Sequence, residues 1–407
     1  MPGIEELLRE ELQRVTDAVQ REHLRPLRAP AARQRWQLRL IPLAVAAAVI
    51  TIITVVALIS GRPTTPSAVA PAAIPRFYLT GVVANGSPGT PLQTEVVVRD
   101  SASGRVTGRA KVLSDTMPAI LNVAAYPDDR AFLIGTTEWG ANGRPEYRFF
   151  RLRVSASGKP GPLTELRSPA LPEGYGVQGF AVSLDGKLLA ISLLYNAPSG
   201  TQWRGEIRVI DLATGKTRTW TAPVHDGHYF IPGPPSWVDG GRMLAFTWQV
   251  SKTLTTTNTV MQGVRLLDTS APGGNLMESR QIVSSRAVPG TIQSALITPD
   301  GRNVIVAASR EVPSDGGRGT VVGQISQVDT ATGKQVRVLR TQTARYTDLT
   351  HFVLDGSTEV FALDPAGRYA LAQNMQFGWM DIGGPDPGRF TPLPGFPAGH
   401  EVFWAAW

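Results

Sequence analysis

Histidine is the side chain best suited to acid, base or metal chemistry near neutral pH, and the chain carries five: His23, His225, His228, His351 and His400. Only His225-Asp226-Gly227-His228 is clustered. An H-x-x-H spacing chelates zinc when a third ligand arrives from elsewhere. Two ligands rarely suffice, and the Pro/Gly-rich setting, residues 222–234, better suits two solvated loop histidines. With no cysteine in 407 residues, disulfides, thiolate metal sites, redox chemistry and cysteine nucleophiles are excluded. Gly215-Lys216-Thr217 matches the end of a phosphate-binding loop. That loop requires a glycine where Ile210 stands and a helix where a strand follows. GxSxG elbows, HExxH pairs and EF-hand strings are missing, and no cofactor is implied.

Any chemistry must therefore come from residues that a scaffold brings together, and the scaffold is repetitive. One turn recurs at 100–105 (DSASGR), 154–159 (VSASGK), 211–216 (DLATGK) and 329–334 (DTATGK), with looser copies at 268–275 and 381–389. Its glycines, Gly104, Gly158, Gly215, Gly274, Gly333 and Gly388, recur every 54 to 59 residues. Asp and Ser/Thr bond back to turn amides, and glycine takes the left-handed position that closes a hairpin. A second turn interleaves at 127–130 (PDDR), 184–187 (LDGK), 239–242 (DGGR), 299–302 (PDGR) and 365–368 (PAGR). Each is followed by an apolar strand: AFLIG, LLAIS, MLAFT, NVIVA and YALAQ.

Two hairpins per repeat give four strands, the unit of a β-propeller blade. Residues 77–395 hold six such units, with seven blades as the alternative count. The first unit lacks an inner strand before Phe77, and the chain ends on an unpaired strand, EVFWAAW, at 401–407. The two leftovers predict that the last strand completes the first blade and closes the ring, leaving no open edge at the join.

GFAVSLDGKLLAIS, PPSWVDGGRMLAFT and ALITPDGRNVIVAA resemble the tryptophan-serine-proline-aspartate-glycine signature of TolB-type, WD-repeat-like propellers. The resemblance covers about residues 77–407 and implies the fold more than a function. The aspartate box of sialidase propellers (S-x-D-x-G-x-T-W) is missing. The whole layout, with 34 Arg against 6 Lys, is similar to membrane-anchored propellers of high-GC Gram-positive bacteria.

The N-terminal part reads differently. Residues 40–59, LIPLAVAAAVITIITVVALI, are uncharged and long enough to cross ~30 Å of bilayer as a helix. Five arginines and no acid in residues 25–39, against Arg62 alone in 61–75, place the N-terminus in the cytoplasm and the bulk of the chain outside. Ile4, Leu7, Leu8, Leu12, Val15 and Val19 form an apolar stripe at helical spacing. The stripe suits either the inner leaflet or a cytosolic regulatory protein docking on residues 4–23. The expected organisation is a cytoplasmic helix and basic linker (1–39), a transmembrane helix (40–60), a Pro-rich spacer (61–75) and an extracytoplasmic all-β propeller (76–407). The segment beyond residue 62 carries 31 basic against 27 acidic residues, which is not the footprint of a nucleic-acid binder.

Both tight turns of a blade fall on one face of a propeller, so the longer connections gather on the other. There the spacing places Trp139, Tyr175, Tyr195, Trp203, Tyr229, Arg345 and Tyr346, with His225 and His228. Aromatic and arginine side chains on rigidly held loops suit a binding surface. The expectation is a membrane-anchored, non-enzymatic binding, sensing or scaffold module. The alternative is an envelope hydrolase or lactonase, which requires a metal or paired acids at the channel mouth.

Overall fold

A computed structural model describes residues 74–83, 94–112, 119–139, 145–166, 171, 174–196, 203–222, 229–238, 241–251, 259–313, 319–346, 358–374, 376–394 and 404–407. Apart from one short 3-10 turn, Leu276–Glu278, the regular elements among them are β-strands. The expected span and cytoplasmic helix lie outside the described residues. Among those described, no helix is long and apolar enough to cross a membrane.

The strands form six sheets, which fixes the count at six blades rather than seven. Blades two to six each run from an inner strand outward, beginning with Ala119–Ala125, Tyr175–Val182, Tyr229–Trp237, Thr291–Ile297 and Thr358–Leu363. Blade one is assembled from both ends of the propeller. Its outer three strands are Phe77–Val83, Thr94–Asp100 and Val106–Lys111, and Ala405–Ala406 supplies the inner one. Leu79 pairs with Ala406 and Thr80 with Ala405, antiparallel. Trp407 is 1% exposed. A Cβ on Gly81 would stand 2.2 Å from the Trp404 ring, so glycine makes room for that side chain. The closure expected from the two leftover strands is thus present, with 401–403 outside the described residues.

The apolar runs after the second turn are the second strands of the blades, covered on both faces by neighbouring blades, which is why they read as continuous apolar stretches. Phe132, Leu133, Ile134, Leu189, Ala190, Ile191, Leu244, Phe246, Val304, Ile305, Val306, Ala370, Leu371 and Ala372 are all fully buried. Each large aliphatic or aromatic side chain removed from water in this way contributes ~1.5–3 kcal/mol. Hydrogen bonds stitch successive inner strands. Trp237 Nε1 donates to Ala181 O at 3.0 Å, Ile297 N to Ser236 Oγ at 3.0 Å, and Val360 N to Ser294 Oγ at 2.7 Å.

The first recurring turn closes the outer hairpins as expected. Asp211 Oδ1 accepts from the Ala213 and Thr214 amides at 3.0 and 2.8 Å, and Gly215 takes φ 72°. The looser copy at 268–275 differs. Gly274 closes no hairpin there. Gly273–Asn275 forms a short strand that pairs in parallel with Thr219, Trp220 and Thr221 at the outer edge of blade three. A Cβ on Gly273 would meet Thr219 O at 2.5 Å, so the close backbone approach demands glycine. The outer strand of blade four, Arg280–Ser284, follows the 3-10 turn.

Candidate functional site

Of the residues expected on the loop face, the structure brings Tyr175 and Tyr195 together, with ring centroids 4.9 Å apart. The Tyr175 hydroxyl donates to Glu206 Oε2 at 3.1 Å and accepts from Arg204 at 3.3 Å. Glu206 is buried and also paired with Arg208. The Arg208 guanidinium lies 4.7 Å over the Tyr175 ring, and that of Arg204 5.4 Å over Tyr195. Both oxygens of Glu206 are therefore occupied, and the cluster holds blade three together. Arg204, Glu206 and Arg208 had no motif to mark them in the sequence. Tyr229 is half-buried at the start of the inner strand of blade four, whereas Arg345 and Tyr346 lie on the outer strand of blade five. Trp139 and Trp203 lie in strands of blades two and three. His225 and His228 lie outside the described residues.

The inner strands surround a channel of about 370 Å³. Every continuous inner strand shifts register near its loop-face half, between Ile120 and Asn122, Val177 and Gly179, Pro232 and Pro235, Ile292 and Ser294, and Val360 and Ala362. Such bulges re-aim side chains, and Asn122, Gln178, Gln293, Glu359 and Trp404 line the channel at this level.

At the opposite mouth, the second recurring turn sets the chemistry. In blade three, Ser183 Oγ donates to Asp185 at 2.6 Å and accepts from the Leu188 amide at 2.9 Å. Blade five repeats this with Thr298, Asp300 and the Asn303 amide. The hairpins of blades two and six, which flank blade one, depart from it. Asp364 stands where Ser183 and Thr298 stand. It is 2% exposed, and its carboxylate accepts from the Arg368, Tyr369 and Ala366 amides at 2.6, 2.5 and 3.3 Å. Asp129 stands where Gly186, Gly241, Gly301 and Gly367 take φ of 64 to 72°, and it adopts φ 52° itself. Among the described residues no other non-glycine residue has a left-handed backbone, a conformation that costs ~1–2 kcal/mol.

Both departures line the channel. Burial raises the Asp129 carboxyl above its ordinary value, and the charges of Asp128 and Asp364 add to the rise. Burial also raises Asp364, against the pull of its amide donors. Asp129 Oδ1 is buried without a hydrogen-bond partner among the described residues. The charge of Asp364 thus favours a proton on Asp129, an arrangement in which one carboxyl can serve as acid and the other as base. The signal was visible in PDDR and LDPAGR, which break the pattern of SLDGK and TPDGR, but the repeats alone show a turn and not a neighbour across the ring. Among the described residues no three His, Asp or Glu side chains gather into a metal-ligand set.

The chain matches no protein-family model and no curated protein. Solved structures with a similar fold include prolyl oligopeptidase B from Galerina marginata (11% identity, 80% of this chain and 42% of that one, TM-score 0.39). Another is the propeller domain of the Trilobed protease from Pyrococcus furiosus, described as an open velcro topology (12%, 52% and 54%, 0.29). A third is an acylaminoacyl peptidase from Pyrococcus horikoshii (9%, 55% and 33%, 0.33). The matched region spans less than half of the first of these chains. The neighbours named are peptidases or a protease's propeller domain, so they lend the expected non-enzymatic module no support. At such identities and TM-scores the likeness assigns no reaction, and the six-blade count rests on the six sheets themselves.

Proposed function

We propose that this chain is an envelope hydrolase whose propeller channel receives a carboxylic ester or lactone. The observation that carries the reading is the Asp129–Asp364 pair at the channel mouth, built from the two hairpins that break the repeat. Asp129, whose buried carboxyl favours its protonated form, donates a proton to the departing oxygen. Asp364, anchored by three amides, accepts a proton from the attacking water. The water oxygen bonds to the acyl carbon, the carbon–oxygen ester bond breaks, and acid and alcohol leave. Exchange with solvent then returns both carboxyls to their starting protonation.

The TolB-type, WD-repeat-like signature supports placing the propeller in that broad group. The uncharged run at 40–60 anchors it in the cell membrane with the N-terminus inside, residues 61–75 act as a spacer, and the stripe at 4–23 docks on the inner leaflet or a cytosolic regulator. The test uses the purified full chain against nitrophenyl esters and chromogenic lactones. Asp129→Asn and Asp364→Asn each lower kcat by about 10²–10⁴-fold, the worth of a positioned acid or base, while both variants still fold and melt cooperatively. No hydrolysis by the unaltered chain, or full rates in both variants, overturns the assignment.

A further inference from the structure

The outer edges of the six blades are unequal. Five are short: Val106–Lys111, Thr164–Glu165, Gly273–Asn275 (laid against Thr217–Thr221), Arg280–Ser284 and Phe390–Pro392. The fifth blade ends on Gln335–Tyr346, 12 residues long, and among the described residues no strand pairs with its outer side. Long open edges invite another strand, and proteins usually shorten, bulge or cover them. The turn-proximal half of this edge is protected in that way. Its register against the preceding strand shifts at two places, between Ile325 and Ser326 and between Gln327 and Val328. Leu339 O there is approached by Gly388 of blade six, where a Cβ would come within 2.0 Å of it.

The remaining half, residues 340–346, keeps unbroken pairing with residues 319–325. Along it Thr341, Thr343 and Arg345 are exposed, alternating with the half-buried Gln342 and Ala344. This is a regular edge with a side-chain pattern of period two, which strand addition requires. The same molecule shows an edge being extended in this manner. In blade three, Gly273–Asn275 adds to Thr217–Thr221.

Charge selects the occupant. The strand Gln335–Tyr346 holds Arg337, Arg340 and Arg345 and no acid. Arg340 is committed to the Phe390 ring at 4.4 Å, but Arg337 and Arg345 are exposed and have no acidic partner among the described residues. A second copy would bring the same arginines against them.

We infer that the edge of blade five binds an acidic, extended segment of another polypeptide by β-strand addition along residues 340–346. Backbone hydrogen bonds hold the segment along 340–346, and Arg345, with Arg337 just beyond the stretch, chooses acidic side chains. The inference is independent of the acid pair in the channel.

The test is fluorescence anisotropy with the full chain and three labelled octapeptides: alternating Glu-Thr, alternating Lys-Thr, and Glu-Thr with every second amide N-methylated. The Glu-Thr peptide binds, and the other two bind at least roughly tenfold more weakly, since one loses charge complementarity and the other its backbone donors. Arg337→Glu combined with Arg345→Glu, both on an exposed strand, reverses the preference toward Lys-Thr while Tm is kept. Three results overturn the inference: no Glu-Thr binding up to about 1 mM, binding that survives N-methylation, or self-association of the chain that the double reversal abolishes.

Discussion

The channel-mouth hairpins of blades three and five and those of blades two and six share one backbone and differ in chemistry. In the first group a hydroxyl, Ser183 or Thr298, caps the turn, an exposed aspartate supports it, and glycine takes the left-handed position. In the second group Asp364 replaces the hydroxyl and Asp129 the glycine. The departures sit on either side of blade one, the blade that has no such hairpin because its inner strand is the end of the chain. A repeat tolerates costly residues where its symmetry is already broken, and local strain of this kind gathers at working sites.

The comparison breaks most severely if the ring opens at blade one, because the acid pair then loses its spacing. Trp407→Ala removes a fully buried side chain at the join. It is expected to cost ~3–5 kcal/mol in chemical denaturation of the full chain. A loss below ~1 kcal/mol is what a dispensable surface position gives, and it would detach closure from stability.

Next comes the cap itself. Asp364→Ala leaves the Arg368 and Tyr369 amides without their acceptor, at a cost of ~1–3 kcal/mol. Asp364→Ser restores the arrangement of Ser183 and should cost less than ~1 kcal/mol. Equal losses in the two variants would show that the blades do not share one capping scheme.

Acidity gives a comparison with opposite signs. Folding raises the Asp129 pKa, so its stabilising effect is fullest below the unfolded value of ~3.9 and is lost as pH rises through the folded value. Asp129→Asn should therefore gain stability relative to the unaltered chain as pH rises above the unfolded value. Asp268 is held at about 2 by bonds from Ser270 and then Arg242. Its contribution is present above ~3.9 and lost as pH falls through its folded value. Asp268→Asn should match the unaltered chain near the acid end and fall behind above it. Urea titrations at several pH values check both slopes.

The smallest effect tests whether the site can be transplanted. Gly186→Asp puts an aspartate at the left-handed position of blade three, where the added Cβ meets Tyr126 at an ordinary 3.5 Å. It should cost about 1 kcal/mol of backbone strain. Added to Asp129→Asn, it should restore no hydrolysis, since Ser183 stands in blade three where blade six has Asp364.

The hairpins, the blade count and the closing strand were legible because each depends on local turn chemistry and on period. Asp100, Asp211 and Asp329 cap their own turns, and Gly104, Gly215 and Gly333 close them within a few residues. Gly274 was misread for the same reason. Its turn-like neighbourhood does not reveal that Gly273–Asn275 pairs with a different blade. Asp129 and Asp364 lie at opposite ends of the propeller sequence and line one channel only because the ring closes. The loop-face aromatics were readable as a group, yet packing separated them: Tyr175 is used up on Glu206, while Arg345 stands on the edge of blade five.

The most direct test of the acid pair is Asp129→Gly in the full chain, assayed for melting and for ester hydrolysis together. Restoring the repeat removes the left-handed aspartate, so stability should rise by about 1 kcal/mol. Hydrolysis should fall by about 10²-fold or more with the loss of the general acid. A variant that melts higher and hydrolyses at the full rate would contradict the account, because the departure from glycine would then serve no chemistry.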